Sequence, residues 1–248
     1  MTAAILEVDR VRKTFGGLTA NNDVTLRVPE GSICGVIGPN GSGKTTLFNS
    51  IVGHHPVDAG SIRFGGQEIT RMRVPQIARL GLLRTFQQTR IYGGMTCMQN
   101  MVISVPPSEL GWRAMFRRPP PADLRKAEDL LQFVGLHPKR HLRAGDLSFG
   151  QQKLLELAMA LMSSPRMLLL DEPTAGINPT LINDLLARLH QINAEFRITL
   201  LVIEHNMRVI MNLAQYIYCL AHGELLAEGR PEEVQRDPRV LEAYLGAR

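Results

Sequence analysis

Residues 38–45, GPNGSGKT, combine residue types that suit phosphate binding. Two glycines separated by four residues and followed by Lys and Thr form the phosphate-loop pattern. Glycines let backbone N–H groups converge on phosphate oxygens, Lys44 can reach the outer phosphates, and the Thr45 hydroxyl can ligate Mg²⁺. The predicted nucleotide-binding residues here are Gly38, Pro39, Asn40, Gly41, Ser42, Gly43, Lys44, Thr45 and Thr46. The alternative is a glycine-rich turn with a surface lysine.

Two adjacent acids, Asp171 and Glu172, end the apolar run MLLL. A phosphate loop needs a second Mg²⁺ contact, and a carboxylate at the C-terminal end of a neighbouring buried strand can supply it. Asp171 meets that description. Glu172 is then free to orient or deprotonate an attacking water, which predicts a catalytic base beside a metal ligand. The alternative is that both acids cap the turn into a helix beginning at Pro179.

The pentapeptide LSFGQ at residues 147–151 precedes these acids. Ser148 can supply a hydroxyl at the start of a helix predicted over 151–162, and Gly150 permits another backbone to approach closely. With Gln151 they predict an anion-binding helix N-terminus. The alternative is a simple helix cap.

Three further candidates follow predicted strands, where α/β sheets gather their ligand contacts. Gln87 follows RTF, His205 follows ITLLVIE, and Phe15 lies after the first strand candidate. The Phe15 ring could stack on a purine, with packing in the core as the alternative.

The elements that must position these residues alternate between strand and helix. Strand-like runs ILEV, VTLRV and ICGVI open the chain, and helix and strand alternate again beyond residue 147, which predicts a parallel sheet flanked by helices. Short elements are expected as a helix over 75–83 and a strand RTFQ at 84–87. Between about 97 and 146 the strand signal fades. There the stretch ADLRKAEDLLQFVG predicts a helix that Gly135 stops.

Composition limits the remaining possibilities. The chain has 248 residues, enough for one large domain, and a formal charge of +5, which favours anionic partners. Its three cysteines lack disulfide or zinc spacing, which fits a reducing cytosol. We find neither a signal peptide nor a run of roughly 18 apolar residues, so any membrane role is expected to be peripheral. A basic cluster is interpreted as a solvated face, with contact to nucleic acid or lipid headgroups as the alternative: Arg113, Arg117, Arg118, Arg125 and Lys126. Nucleic acid is not an expected partner.

Taken in order, these motifs closely resemble the ATP-binding subunits of ABC transporters over nearly the full length. The signature with Phe149, the segment LDEPTAGINP, IEHNM around His205 and the C-terminal stretch HGELLAEGRPEEVQRDPRVLEAYLGA look most like branched-chain amino acid (Liv-type) importers. Asn178 departs from the aspartate usual in the wider family. Importers of urea or amides, lipid or polysaccharide exporters, and a soluble ABC ATPase acting on nucleic acid are the alternatives.

The resemblance implies an α/β fold: a P-loop NTPase core with a mixed sheet, an antiparallel β subdomain and an inserted α-helical subdomain. It implies a single ATP-binding domain over residues 1–248, with the insertion at 88–146. ATP and Mg²⁺ are the implied cofactors. Thr45, Gln87 and Asp171 would hold the metal, Glu172 would be the base, and His205 would hold the γ-phosphate.

The resemblance also implies partners. Ser148, Gly150 and Gln151 would close over the ATP of a second cassette, identical or different, so the active form would be a dimer. Integral-membrane permeases would dock on the helical subdomain, and an extracytoplasmic solute-binding protein would act indirectly. The chain would then lie on the cytoplasmic face of the cell membrane.

Overall fold

The computed structural model describes residues 3–85, 91–105 and 119–245 of the chain. Its residues divide into two compact units. The first comprises residues 1–84, 166–173 and 189–248, and the second comprises residues 85–165 and 174–188. The predicted boundaries of a helical insertion, 88 and 146, fall within the second unit and stay a prediction.

The strands are β1 (Ala4–Phe15), β2 (Leu18–Pro29), β3 (Ile33–Ile37), β4 (Ala59–Phe64), β5 (Gln67–Glu68), β6 (Leu82–Arg84), β7 (Met167–Asp171), β8 (Thr199–Ile203), β9 (Tyr216–Ala221) and β10 (Glu224–Gly229). The α-helices are α1 (Lys44–Ile51), α2 (Val74–Arg79), α3 (Cys97–Ile103), α4 (Pro121–Phe133), α5 (Phe149–Leu161), α6 (Pro179–Phe196), α7 (Met207–Leu213), α8 (Pro231–Arg236) and α9 (Pro238–Leu245). Among the residues described, no helix is long and apolar enough to cross a membrane.

A six-stranded mixed sheet forms the centre of the first unit, in the order β10-β9-β3-β8-β7-β6. Strands β9, β3, β8, β7 and β6 run parallel, and β10 pairs antiparallel with β9. All residues of β3, β7 and β8 are buried. Continuous apolar runs such as ICGVI and MLLL suit strands that are covered on both faces.

A four-stranded antiparallel sheet, in the order β2-β1-β4-β5, completes the first unit. Its inward residues alternate with exposed ones and join the same apolar core as the central strands, for example Val24, Leu26 and Val28. Tyr218 on β9 links the two sheets, because its hydroxyl donates to the Arg27 carbonyl and accepts the Arg27 N–H at 3.3 Å.

The second unit is helical in its described part. Thr96 caps α3 in a capping box with Gln99. The sequence predicts one apolar helical face formed by Leu124, Ala127, Leu130, Leu131 and Val134. Leu124 is half-buried, while Ala127, Leu130 and Leu131 on α4 and Val134 directly after it are buried. Gly135 follows with φ +73°, as the predicted helix stop requires.

Lys126, one residue of the predicted basic cluster, has a structural role that the sequence pattern did not suggest. Its ammonium donates to the Met162 carbonyl at 2.8 Å and to the Ser164 hydroxyl at 2.6 Å, just beyond the C-terminus of α5. A cation there satisfies carbonyls that the helix leaves unpaired. Lys126 is half-buried and has partners within the chain, whereas Arg125 is exposed; Arg113, Arg117 and Arg118 lie outside the described residues.

Some predicted boundaries were wrong by a few residues. The helix expected over 75–83 is α2, which ends at Arg79, because Gly81 has φ +93° and β6 follows at once. The sequence predicts a helix from Pro179 to about Asn193, and α6 continues to Phe196. Strand β6 begins at Leu82, two residues before the strand predicted over 84–87, and ends at Arg84; Phe86 and Gln87 lie outside the described residues.

Candidate active site

Three adjacent parallel strands bring the predicted site residues of the first unit to one edge of the central sheet. Val36 on β3 and Asp171 on β7 both pair with Ile203 on the intervening β8. Two strand spacings separate Val36 from Asp171, roughly 10 Å. Because the three strands end at the same level, the phosphate loop after β3, Glu172 after β7 and His205 after β8 all begin at this edge.

The loop itself has the strained backbone that its glycines predict. Gly38, Gly41 and Gly43 all have positive φ, and Gly43 at φ +96° immediately precedes α1. A Cβ on Gly43 would lie 2.2 Å from the Ala20 carbonyl oxygen, so a side chain does not fit. The Gly43 carbonyl accepts the Asn21 amide at 3.1 Å, which ties the loop to β2.

Lys44 lies inside the loop. Its side chain is buried, and its ammonium donates to the carbonyls of Gly38 and Pro39, each at 2.9 Å, and to Ser42 Oγ at 3.3 Å. Burial lowers the pKa of Lys44, and the charges of Glu172 and Asp171 oppose that shift. The surface-lysine alternative is therefore wrong: the ammonium is held within the loop, where phosphate oxygens could replace the carbonyls.

Asp171 is almost completely buried, with 2% of its surface exposed. Its Oδ2 accepts Arg84 Nη2 at 2.5 Å, and the same guanidinium donates to Asn49 on α1. Oδ1 is also buried and lacks a hydrogen-bond partner in the described part of the chain. A buried carboxylate oxygen without a partner fits a role in metal binding.

Thr45 and Asp171 fit a magnesium site in which a bound nucleotide supplies the remaining ligands. Thr45 is exposed in the first turn of α1, and Asp171 offers its free oxygen. Within the described ranges we find no cluster of three or more His, Cys, Asp and Glu side chains that could hold a metal. Mg²⁺ commonly uses one or two protein ligands together with substrate phosphates, so this sparse set suits it.

Glu172 and His205 form a hydrogen-bonded pair. His205 Nε2 lies 2.6 Å from Glu172 Oε1, with 39% and 19% of the two side chains exposed. Glu172 adopts the left-handed conformation at φ +49°, while its N–H donates to the Ile203 carbonyl. This turn gives Glu172 a different environment from Asp171. A carboxylate held against an imidazole at a solvent-accessible edge can accept a proton from water.

Phe15 is not a core residue, because 44% of its surface is exposed. Its ring meets His55 edge to face at 5.3 Å, and the Lys13 ammonium lies 5.2 Å from its centroid. Lys13 in turn pairs with Asp58 at 3.1 Å. The ring is therefore fixed in position while it stays accessible for stacking.

Ser148, Gly150 and Gln151 lie at the start of α5 in the second unit. Ser148 caps the helix, accepting the Gln151 N–H at 3.4 Å, and Gln151 Oε1 accepts the Ser148 N–H at 3.3 Å. This is the simple cap named as the alternative, although Ser148 is also exposed. A Cβ on Gly150 would lie 2.7 Å from the tip of the Leu181 side chain on α6. The close packing of α5 against α6 therefore accounts for a glycine at this position.

Gln87 lies outside the described residues. The sequence reasoning also missed Arg84, three residues earlier, which binds Asp171. An arginine ending the apolar strand LLR was the available signal, because a buried cation needs an anionic partner.

Comparison with known proteins adds to this geometry. A model of the ABC transporter family matches residues 21–175. The chain belongs to this family. A second model, described as branched-chain amino acid ATP-binding cassette transporter, matches residues 224–248. Membership makes the chain an ATP-hydrolysing ABC cassette and confirms the predicted family and activity.

The relatives cover the chain from end to end. It is 39% identical to the high-affinity branched-chain amino acid transport ATP-binding protein BraF of Pseudomonas aeruginosa, covering 99% of both chains. It is 37% identical to the probable branched-chain amino acid transport ATP-binding protein LivG of Archaeoglobus fulgidus, covering 98% and 96%. The crystal structure of the ADP conformation of MJ1267, an ATP-binding cassette of an ABC transporter, has a TM-score of 0.89 at 35% identity, covering 99% and 100%. The predicted fold class is thereby confirmed.

Proposed function

We propose that this chain is the ATPase subunit of an importer for branched-chain or related hydrophobic amino acids. The observation that carries the proposal is its end-to-end likeness to two proteins named as branched-chain amino acid transport ATP-binding proteins. The match of residues 224–248 to a branched-chain family model supports the same substrate class.

In this proposal the backbone of residues 41–46 and Lys44 bind the phosphates of ATP, and Phe15 stacks on the purine. Thr45, Gln87 and Asp171 hold Mg²⁺, which when bound neutralises charge on the phosphates and helps to orient them. The buried, unpartnered Oδ1 of Asp171 supports its part in this set.

Glu172 is proposed to accept the proton of the attacking water, and His205 to contact the γ-phosphate. Their 2.6 Å contact supports these roles, because it holds the carboxylate in one orientation at the sheet edge. His205 can then leave Glu172 for the phosphate when ATP enters. The proton moves from water to Glu172, while the water oxygen attacks phosphorus and ADP leaves.

We further propose that two cassettes pair, with Ser148, Gly150 and Gln151 of one closing over the ATP of the other. The exposure of Ser148 at a helix N-terminus supports contact with an anion from outside the chain. Whether the second cassette is a copy of this chain or a different subunit is an outcome of the experiment below.

Permeases are proposed to dock on an exposed apolar surface of the second unit, formed by Tyr92, Met95 and Leu142. These side chains are 54%, 36% and 41% exposed. Backbone hydrogen bonds from Cys97 to Leu142 and from Ala144 to Met95 hold their two segments side by side. Such a surface suits an apolar partner segment. A solute-binding protein outside the membrane would deliver the amino acid.

The experiment is purification of the tagged chain from detergent-solubilised membranes, followed by identification of the attached subunits and measurement of labelled leucine uptake. We expect permeases and a second cassette to co-purify. Glu172→Gln should retain these partners yet abolish uptake, which separates assembly from hydrolysis. Recovery of the chain only in the soluble or nucleic-acid-bound fraction would contradict the proposal.

A further inference from the structure

The C-terminal helix α9 reaches the phosphate loop through one side chain. Tyr244 lies near its end, and the Gly38 N–H donates to the Tyr244 hydroxyl at 2.8 Å. Both residues belong to the first unit, although 206 positions separate them in sequence. Helix α9 is anchored by Val240, which is buried, and the Leu241 N–H donates to the Asp237 carbonyl at its start.

Gly38 has little room to change its backbone conformation, because neighbouring groups contact it closely. Its carbonyl accepts Lys44 Nζ at 2.9 Å. A Cβ on Gly38 would lie 2.0 Å from the Leu220 carbonyl oxygen and 2.7 Å from Ser42 Oγ. Its φ of +147° is one that residues other than glycine rarely adopt. The Tyr244 hydroxyl is the hydrogen-bond partner of the Gly38 N–H. Gly38 is the first glycine of the phosphate loop.

Lys44 and Tyr244 differ in what they can do when phosphate arrives. Lys44 must exchange its contacts to the loop carbonyls for phosphate oxygens, which removes one restraint on Gly38. The Tyr244 hydroxyl can keep the N–H of Gly38 fixed during that exchange. Burial raises the pKa of Tyr244 to about 12, so the group stays a neutral hydroxyl at physiological pH and does not repel phosphate.

We propose that Tyr244 is a positioning residue, through which the C-terminal helix holds the phosphate loop in its binding conformation and sets the affinity for ATP. The proposal rests on ATP binding by this chain and adds a function for its C-terminal segment. A buried N–H that loses its partner either stays unsatisfied or draws the loop away from its geometry, and either result weakens binding.

The variant Tyr244→Phe tests this, because it keeps the ring and removes only the hydroxyl. We expect ATP to bind about 3- to 10-fold more weakly, the range that one neutral hydrogen bond supplies. The KM for ATP should rise by a similar factor while kcat is retained, because Asp171, Glu172 and His205 are unchanged. Tyr216→Phe, on β9 of the same unit, is the matched control and should bind ATP like the original protein.

Hydrogen exchange of the full, nucleotide-free chain gives a readout independent of hydrolysis. Tyr244→Phe should exchange faster in peptides covering residues 36–43 and at the unchanged rate in β7 and β8. Faster exchange throughout the chain would make Tyr244 a general structural residue and overturn the proposal. Unchanged affinity together with unchanged exchange would also overturn it. Failure of the original protein to bind ATP would contradict the proposed function instead, while the exchange data still test the Tyr244 contact.

Discussion

Asp171 and Glu172 are consecutive residues with carboxylates in different environments. Asp171 is buried against the Arg84 guanidinium, while Glu172 turns through a positive φ to meet His205 nearer solvent. A metal ligand benefits from fixed geometry, and a base needs access to water. Because the backbone turns at Glu172, the neighbouring residues Asp171 and Glu172 can serve as metal ligand and base respectively.

The first prediction concerns the base. Glu172→Gln removes the proton acceptor but keeps the size of the side chain, so ATP hydrolysis should slow by at least ~10²-fold. ATP should still bind. Phosphate release and equilibrium nucleotide binding measure the two effects separately. Glu232→Gln, at an exposed position on α8, should hydrolyse ATP at the original rate. Near-normal turnover by Glu172→Gln would disprove the assigned role.

The second prediction concerns the buried ion pair. Arg84→Gln leaves the Asp171 charge without its partner, so the free energy of unfolding should fall by about 3–5 kcal/mol. The matched control is Arg27→Gln, whose pair with Glu7 is long at 3.9 Å and lies at the surface. Arg27→Gln should lower the free energy of unfolding by less than about 1 kcal/mol. Urea denaturation measures both.

A double variant tests the cause of that loss. Arg84→Gln combined with Asp171→Asn removes both charges, so part of the lost stability should return. If the double variant is less stable than Arg84→Gln alone, the lost stability comes from packing around Arg84, for example against Phe48, and not from the unpaired charge.

At the scale of elements, the turn between β3 and α1 depends on backbone freedom that a side chain would remove. Gly43 both adopts a positive φ and faces the Ala20 carbonyl at a distance that excludes a Cβ. Two independent restrictions therefore require glycine where the phosphate loop enters its helix. Strand β2 approaches Gly43 closely and also donates a hydrogen bond to its carbonyl from Asn21, which anchors the loop.

The third prediction separates those two restrictions. Gly31 in the turn between β2 and β3 also has a positive φ, +75°, but open space around it. Gly31→Ala should cost about 1 kcal/mol, from backbone strain alone. Gly43→Ala should cost more, because the Ala20 carbonyl must also move. Thermal unfolding of the two variants measures the difference, and equal losses would mean that the clash is relieved without cost.

At the scale of the whole molecule, the first unit depends on the packing of a mixed sheet and an antiparallel sheet. Both sheets contribute to a single apolar core, and Tyr218 adds a polar link from β9 to the Arg27 peptide. Burial raises the pKa of Tyr218 above its ordinary value, and the neutral hydroxyl can both donate and accept.

The fourth prediction is that Tyr218→Phe destabilises this unit. Loss of the hydroxyl leaves the Arg27 carbonyl and N–H without that partner, and the free energy of unfolding should fall by about 1–3 kcal/mol. The matched control is again Tyr216→Phe, whose neighbouring ring is half-buried. Urea denaturation compares them. Equal stability of the two variants would contradict a linking role for Tyr218.

The motifs, the alternation of strands and helices, and the resemblance to the family are evident from the amino-acid sequence alone. Glycine spacing, apolar strand runs and the pair of acids are local properties, so the loop at 38–45, the strand ending at Asp171 and the helix that Ser148 caps could all be predicted. Helix ends were less certain, because a boundary such as Arg79 depends on which strand pairs next.

The hydrogen-bond partners of these residues depend on the three-dimensional fold. Arg84 meets Asp171, His205 meets Glu172, and Tyr244 meets Gly38 across sequence separations that no local pattern encodes. Parallel strands bring the first two contacts together by ending at one sheet edge, and α9 folds back to make the third. The residue types that can do chemistry are therefore evident in the sequence, whereas the hydrogen bonds that orient them arise from sheet register and helix packing.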